Sequence, residues 1–437
     1  MPSKSLLFIL IQRIWQGLGG VLTIFFIAHT LTSDMQGWFY SFASITSLYV
    51  LFELGLSSAI IQTSARFFVG LRWQSEGRVA GEGVEDFKAF ISNSIKMYIK
   101  FAFLFFLVAF AIGFFIFHQK SGLFLNGRMW LWPWIALLVG TAINIIMLPF
   151  FAVVEGSGEI SEVYGVRLLQ GFIGSIFCWL VLLAGGNLWA LSMMPIFSIF
   201  ISSLWLIKNR PQLFKFIFFN ITTKKFNWLK EVWPLQWRIT ITWIGLFLMS
   251  QLCTPILFYF QNSIVAGQMG LSLTIVHMLG ILSQSWITRR IPTMTQAVAK
   301  REWRLLDGLF KKELMRSLIV FVLGATILLI AHIIISQSVY AIRVLDFWQF
   351  LGLLIFSFFY HLNIALAIQL RSFQEEPLLW IFLFGGIAIV ICLVLAAKYS
   401  SVSELILLMT ILQVAIISPL SFFVWHHKNN EYKKTII

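Results

Sequence analysis

A succession of apolar runs, each about as long as a bilayer-spanning helix, constrains the fold of this 437-residue chain more than any other feature. A spanning helix needs about 20 consecutive apolar residues, because lipid leaves backbone groups no partners outside the helix itself. Polar residues, glycine or proline separate the runs, which lie at 6–31, 37–62, 97–118, 130–152, 164–184, 187–207, 235–259, 263–287, 317–337, 345–370, 377–397 and 403–425. The pattern predicts an all-α polytopic membrane protein with about 12 transmembrane helices.

The composition excludes a water-soluble globular fold. Hydrophobic residues make up 59% of the chain and charged residues only 11%, and so much apolar surface does not fit into a soluble core. The first run, 6–31, exceeds the 7 to 15 or so residues of a secretory-signal core, and we expect a retained span. Cys178, Cys253 and Cys392 stand alone in apolar runs, without metal-ligand or redox spacing.

The distribution of basic residues predicts the orientation. With a cytoplasmic N-terminus, the inner segments carry 25 Lys and Arg residues and the outer loops carry four, namely Lys120, Arg128, Arg343 and Lys398. Positive residues accumulate on the cytoplasmic side of membrane proteins. We therefore expect a bacterial cytoplasmic (inner) membrane protein with both termini in the cytoplasm. The net charge of +14 is explained by this asymmetry, and no nucleic-acid partner is expected.

Three long inner segments, 63–96, 208–233 and 288–316, mix basic residues with Phe, Leu or Trp. This mixture is typical of interfacial amphipathic helices that lie on anionic lipids. A docking site for a cytoplasmic partner is the alternative interpretation.

An internal repeat relates the two halves. Gly37 opens the second run and Gly270 lies near the start of the eighth, an offset of 233 residues. The same runs end in Gln62-Thr-Ser-Ala-Arg66 and Gln296-Ala-Val-Ala-Lys300, an offset of 234. Six spans separate the copies, so both halves enter the membrane in the same direction. We predict two parallel-repeated six-helix bundles, at 1–215 and 216–437, around a central cationic cavity.

Arginines inside the apolar runs indicate the sign of the cargo. Arg13, Arg167 and Arg238 lie within runs or at their inner edges, and Glu53 is the comparable deep acid. An arginine at the centre of a spanning helix costs about 2.5 to 3.5 kcal/mol on insertion scales, and such residues usually line a pathway. The excess of cations predicts an anionic cargo.

Each candidate residue has a structural alternative. Arg13 and Glu53 are expected at similar depth as a buried pair, which either fixes the first hairpin or faces a hydrated cavity. Arg238 is expected to bind a phosphate bidentately while Trp243 stacks a sugar, with snorkelling to lipid headgroups as the alternative for Arg238. Arg167 follows an acidic elbow, where a local salt bridge or snorkelling competes with cavity lining.

Motifs for chemistry are missing from the sequence. It contains no nucleotide-binding glycine loop, no metal-ligand spacing and no nucleophile motif. We therefore expect a transporter without a cofactor, and coupling to a proton or sodium gradient remains open.

Two sequence stretches resemble a known family. The first hairpin reads Ser33-Asp-Met-Gln-Gly-Trp-Phe-Tyr-Ser-Phe42 and continues into Phe52-Glu-Leu-Gly-Leu56. The second half opens with Glu231-Val-Trp-Pro-Leu-Gln-Trp-Arg-Ile239 and continues into Ala266-Gly-Gln-Met-Gly-Leu-Ser-Leu-Thr274. These stretches resemble the polysaccharide flippases of the O-antigen type (Wzx-like), which belong to the multidrug/oligosaccharidyl-lipid/polysaccharide exporter (MOP) superfamily.

The resemblance implies a function in surface-polysaccharide and lipopolysaccharide biosynthesis. Such a flippase moves an undecaprenyl-pyrophosphate-linked oligosaccharide to the outer leaflet by alternating access, and other polysaccharide assembly proteins are implied partners. Export of another anionic lipid-linked precursor is the alternative. A membrane-embedded glycan polymerase or ligase is less well supported, because every expected outer loop is short.

Overall fold

The computed structural model describes residues 4–53, 55–74, 77–120, 129–215, 233–373 and 375–435. Helices dominate this part of the chain, as the apolar runs predict. The first half contains α1 (Lys4–Thr30), α2 (Ser33–Thr46), α3 (Tyr49–Glu53), α4 (Leu56–Phe67), β1 (Leu71–Trp73), β2 (Val79–Gly81), α5 (Val84–Lys120), α6 (Leu131–Gly156), α7 (Ile160–Leu183), α8 (Trp189–Asn209) and α9 (Pro211–Lys215).

The second half repeats the helical pattern. It contains α10 (Trp233–Ser250), α11 (Cys253–Phe260), α12 (Ser263–Thr288), α13 (Ile291–Ala299), α14 (Trp303–Ser336), a 3₁₀ turn (Ala341–Arg343), α15 (Phe347–Arg371), α16 (Leu379–Tyr399), α17 (Val402–Ile411), a π-helical turn (Leu412–Ile417) and α18 (Ser418–Thr435).

Within the described ranges, ten helices are long and apolar enough to cross a membrane, or up to eleven if the bent pair α10–α11 forms one span. The run predicted at 37–62 differs, because it is divided among α2, α3 and α4. Gly55 precedes α4 with a φ of 71°, a left-handed conformation that glycine adopts without strain. Hydropathy identifies the apolar run but not its interruptions.

The prediction of an interfacial helix over 63–96 is wrong for the middle of this segment, whereas 63–67 belong to α4 and 84–96 to α5. After α4 the chain forms an antiparallel hairpin in which Leu71 pairs with Gly81 and Trp73 with Val79. Positive φ values at Gly77, Gly81 and Gly83 explain why no helix continues here. The segment 288–316 does contain the short helix α13, whereas 216–232 lie outside the described residues.

Contacts group the chain into two compact units. Unit 1 comprises Met1–Met35 and Phe42–Trp237, and unit 2 comprises Gln36–Ser41 and Arg238–Ile437. The predicted boundary at 215/216 adjoins residues outside the described ranges and stays a prediction.

Each unit has its own helix packing. In unit 1, α7 packs against α1 and α8, and α6 packs against α4, α5 and α8. Gly113 on α5 admits the indole of Trp134, because a Cβ there would lie 2.5 Å from the ring. In unit 2, α12 packs against α14 and α15, and α15 also contacts α17 and α18.

Candidate functional site

Three arginines surround one buried carboxylate in unit 2. Glu313 lies on α14, and its side chain is only 2% exposed. Arg289 Nη2 donates to Oε2 at 3.0 Å, and Arg316 Nη1 donates to Oε1 at 3.1 Å. Arg290 Nε lies 3.5 Å from Oε1. Both carboxylate oxygens are thus engaged by cations, and we call Arg289, Arg290, Glu313 and Arg316 the arginine cluster.

The local fold explains why these residues meet. Arg289 follows the last residue of α12, and Arg290 precedes the first residue of α13. The Ile291–Pro292 step then fits the first turn of α13, where proline needs no hydrogen-bond partner. This break presents two consecutive arginines to α14. Arg316 joins them because it lies one helical turn beyond Glu313.

An aromatic ring completes the cluster. The guanidinium carbon of Arg289 lies 4.3 Å from the Trp286 ring centroid, and that of Arg316 lies 5.8 Å from it. Cations within about 6 Å of an indole face are attracted by its quadrupole. Trp286 therefore holds two of the guanidinium groups close to each other without neutralising them.

The charge balance leaves this cluster cationic. Three arginines against one carboxylate give two excess positive charges, and the arginine side chains are 42–45% exposed. Arginine has five N–H donors, so donors remain after each contact with Glu313. Guanidinium forks match the oxygens of phosphate and pyrophosphate. The cluster is therefore suited to bind a phosphorylated group.

The expected pair of Arg13 and Glu53 does not form. Among the described residues, no ion pair within 4.0 Å joins them, Arg13 is exposed on α1, and Glu53 is half-buried. Equal depth did not make them neighbours because α1 packs against α7, with Trp15 4.7 Å from the Phe172 ring.

Arg167 has the local ion pair that its position after the acidic elbow suggested. Its Nη2 lies 3.4 Å from Glu155 Oε2, and its guanidinium lies 5.2 Å from the Tyr164 ring centroid. This arrangement favours the structural interpretation of Arg167 over cavity lining.

Arg238 and Trp243 both have exposed side chains on α10. They are five residues apart, which separates their directions by about 140° on a helix with 3.6 residues per turn. They therefore do not share one face of α10, and their roles in cargo binding stay predictions. Between them, Thr242 Oγ1 donates to the Arg238 carbonyl at 3.1 Å and to Glu376 Oε2 at 3.3 Å.

The arginine cluster was missed by the sequence analysis. Its arginines were counted only as inner positive charge, which the orientation of the chain already explained. The available signal was the pair Arg289-Arg290 at the end of one apolar run and Glu313-Leu-Met-Arg316 just before the next. In the part of the chain that the structure covers, no group of three His, Cys, Asp or Glu side chains is placed to hold a metal ion.

Comparison with known proteins identifies the fold. No family model and no curated protein matches the sequence. A solved structure described as the inward-facing conformation of a multidrug resistance MATE family transporter of the MOP superfamily matches with a TM-score of 0.70 and 11% identity, covering 99% of this chain and 100% of that one.

Two further structures match over similar lengths. An outward-facing multidrug resistance MATE family transporter gives a TM-score of 0.60 at 12% identity, covering 98% of this chain and 95% of its own. A MOP superfamily transporter from Pyrococcus furiosus, described as having a binding pocket of reverse polarity that suggests a different function, gives 0.56 at 12%, covering 98% and 95%. The chain therefore has the fold of MATE transporters, with two repeated helical bundles.

Proposed function

We propose that this protein is a flippase that moves an undecaprenyl-pyrophosphate-linked oligosaccharide from the cytoplasmic to the outer leaflet by alternating access. The observation that carries this proposal is the arginine cluster, in which three guanidinium groups share one carboxylate, the buried side chain of Glu313. The MATE-type fold supports transport, and the excess of cations supports an anionic cargo.

The position of the arginine cluster along α12 suits a lipid-linked pyrophosphate. With 26 residues, α12 is about 39 Å long at about 1.5 Å per residue. Since the hydrocarbon core is about 30 Å thick, Arg289 at the far end of α12 would lie at headgroup depth. Under the orientation expected from the basic residues, this is the inner leaflet. A pyrophosphate head would meet the cluster there while its polyprenyl tail stays in lipid.

The charge of the cluster argues against export of cationic drugs. A cationic cargo would require available carboxylates, and Glu313 is already engaged by Arg289, Arg290 and Arg316. The Pyrococcus furiosus neighbour is described as having a binding pocket of reverse polarity that suggests a different function, and this description supports the view that proteins of one fold differ in the charge of their cargo. For this chain, the excess of arginine in the cluster indicates an anionic cargo. The proposal includes coupling to either a proton or a sodium gradient.

The decisive experiment measures the lipid-linked oligosaccharide pool by leaflet. Cells depleted of the protein should accumulate intact repeat units in the inner leaflet, and re-expression should clear them. If single units reach the outer leaflet normally but are not lengthened or attached, the protein belongs with polymerases or ligases. If surface glycan is normal but another anionic lipid-linked precursor accumulates inside, the cargo class stands and the glycan assignment fails.

A further inference from the structure

Glu313 decides how much positive charge the arginine cluster presents. Its carboxylate is 2% exposed, whereas the side chains of the three arginines are 42–45% exposed. The carboxylate therefore lies beneath the guanidinium groups, and the part of the cluster that a ligand can reach is cationic. Because one negative charge is set against three positive charges, two positive charges remain for a ligand.

The three arginines do not hold Glu313 equally. Arg289 and Arg316 each donate a hydrogen bond to a different carboxylate oxygen, at 3.0 and 3.1 Å. Arg290 Nε lies farther away, 3.5 Å from Oε1, and this nitrogen is buried without a hydrogen-bond partner among the described residues. A buried donor without an acceptor is costly. Arg290 thus adds charge to the cluster, while its Nε adds no hydrogen bond to Glu313.

Helix packing closes one side of the cluster. Ser317 follows Arg316 on α14, and its Oγ donates to the Ser283 carbonyl of α12 at 2.7 Å and lies 2.8 Å from His361 Nε2 of α15. Ser317 and His361 are both buried. This contact joins three helices of unit 2, so a ligand has to approach from the side on which Arg289 and Arg316 are exposed.

The open side of the cluster adjoins apolar side chains. Leu282 lies one turn before Trp286 on α12 and is 62% exposed, and Ile319 lies one turn beyond Arg316 on α14 and is 50% exposed. Side chains three or four residues apart share a helix face. The exposed cations therefore border apolar surface, an arrangement that suits a phosphorylated headgroup attached to a hydrocarbon chain.

Phosphorylated lipid headgroups differ in charge according to how each phosphate is substituted. A terminal phosphate carries about 1.5 to 2 negative charges near pH 7, because its second pKa is about 6. A phosphate substituted on both sides lacks this second ionisation. A pyrophosphate that links a prenyl chain to a sugar therefore carries about two negative charges, whereas a prenyl pyrophosphate without a sugar carries about three.

We propose that Glu313 is a specificity-determining residue that matches the arginine cluster to headgroups with two negative charges, the charge of a sugar-linked prenyl pyrophosphate. This inference rests on the flippase function proposed above. By cancelling one of three cations, Glu313 keeps the cluster from favouring a prenyl pyrophosphate that lacks its sugar. Glu313 acts through the arginines and does not contact the cargo.

Competition between two probes tests the charge match. The probes are farnesyl pyrophosphate and farnesyl pyrophosphoryl-N-acetylglucosamine, which differ by the sugar and by one negative charge. Their Kd values are measured by isothermal titration calorimetry on the full-length protein in detergent at low salt. Glu313→Gln should shift the ratio of the two Kd values about threefold toward farnesyl pyrophosphate, the factor for one added pair of unit charges about 6 Å apart in water.

Variants of Arg290 make the test independent of how well Glu313→Gln folds. Arg290→Gln removes a cation whose Nε makes no hydrogen bond to Glu313, and should shift the ratio by a similar factor toward the sugar-linked probe. The double variant Glu313→Gln with Arg290→Gln again has two excess positive charges and should regain the parent ratio. Glu302→Gln, at an exposed residue just before α14, is the matched control and should leave the ratio unchanged.

The outcomes separate the role of Glu313 from the cargo proposal. If Glu313→Gln weakens both probes equally, if the double variant does not regain the parent ratio, or if the parent protein binds neither probe, the charge match is wrong. If the ratios shift as expected but depletion does not change lipid-linked oligosaccharide pools, the charge match stands and the flippase assignment fails. If depletion changes these pools while the ratios stay constant, the flippase assignment stands and the role of Glu313 fails.

Discussion

Gly37→Ala should move the start of α2 away from Ser263 by steric exclusion alone. The added methyl group would lie 1.8 Å from the Ser263 carbonyl oxygen, whereas real Cβ contacts essentially never fall below 3.0 Å. The start of α2 must therefore move away by at least the difference, about 1.2 Å. The obstacle is backbone and not the flexible end of a side chain, so rotamer changes cannot relieve it.

The expected magnitude follows from the bonds that this movement breaks. Gln36 makes three hydrogen bonds, with the Gly267 carbonyl, the Arg343 carbonyl and Arg343 Nη1, at 2.9, 3.0 and 3.2 Å, and lengthening each by about 1.2 Å takes them beyond hydrogen-bond range. At about 1 kcal/mol net for each bond, this contact loses about 3 kcal/mol. Since 1.4 kcal/mol is about tenfold, the population in which the three Gln36 bonds are broken should rise about 100-fold.

Ser41 is fully buried, so a cysteine at this position reports loosening of α2. The assay is the rate at which a maleimide labels Ser41→Cys in a chain whose Cys178, Cys253 and Cys392 are replaced, with membrane abundance measured in parallel. Gly280→Ala is the matched control, because Gly280 lies on α12 and a Cβ there meets nothing within 4 Å. It also controls for the gain of about 1 kcal/mol in helix propensity from glycine to alanine. Labelling of the Gly37→Ala protein at the parent rate would refute the steric argument.

Three other predictions concern charged residues. Arg289→Gln with Arg316→Gln removes two cations from the arginine cluster while keeping an amide donor for each oxygen of Glu313, and should lower surface glycan at least tenfold with unchanged membrane abundance. Lys312→Gln, exposed on the same helix, should not lower it, and equal effects would exclude a specific role for the cluster. Arg238→Ala should abolish or severely reduce surface glycan and Arg238→Lys should partly restore it, and normal glycan in Arg238→Ala cells would remove this residue from the mechanism. Arg210→Ala loses the contacts of Nη2 with both carboxylate oxygens of Glu162 and the stack on Trp73, so we expect about 2–3 kcal/mol of destabilisation, seen as a lower Tm in detergent. An unchanged Tm contradicts a role of Arg210 in anchoring the hairpin.

The sequence predicted the parts of the fold that depend on local hydropathy and missed those that depend on long-range packing. Hydropathy is a local property, and the apolar runs coincide with long helices over most of the chain. The pairing of Arg13 with Glu53 was inferred from depth, but the neighbour of α1 is α7. That contact joins segments about 150 residues apart, and neither periodicity nor depth indicates it. The hairpin at Leu71–Gly81 was missed because its basic and aromatic residues also suit an interfacial helix.

The candidate site was harder to predict than the fold because orientation and binding use the same residue type. Arg289, Arg290 and Arg316 lie where positive charge is expected at inner helix ends. Only their convergence on Glu313 distinguishes them from residues that set orientation. The correspondence of Gly37 and Gly270 in the sequence repeat also indicated a contact, because Gly37 on α2 packs against the start of α12 and Gly270 on α12 packs against Tyr40 of α2.

The repeat also defines the position of the arginine cluster within the second copy. With the offsets of 233 to 234 residues, Glu53 corresponds to Trp286 or Ile287, and Gly55 to Thr288 or Arg289. Both copies break at this point, before α4 in one and before α13 in the other. The first copy has a carboxylate and a left-handed glycine at its break, while the second has an indole and two arginines. Helix ends leave backbone groups and nearby side chains accessible. The two corresponding helix breaks, before α4 and before α13, can therefore carry side chains of different charge without disturbing the packing of the spans. A site of one sign could thus develop in the second half alone, and this is the half that contains the cationic cluster.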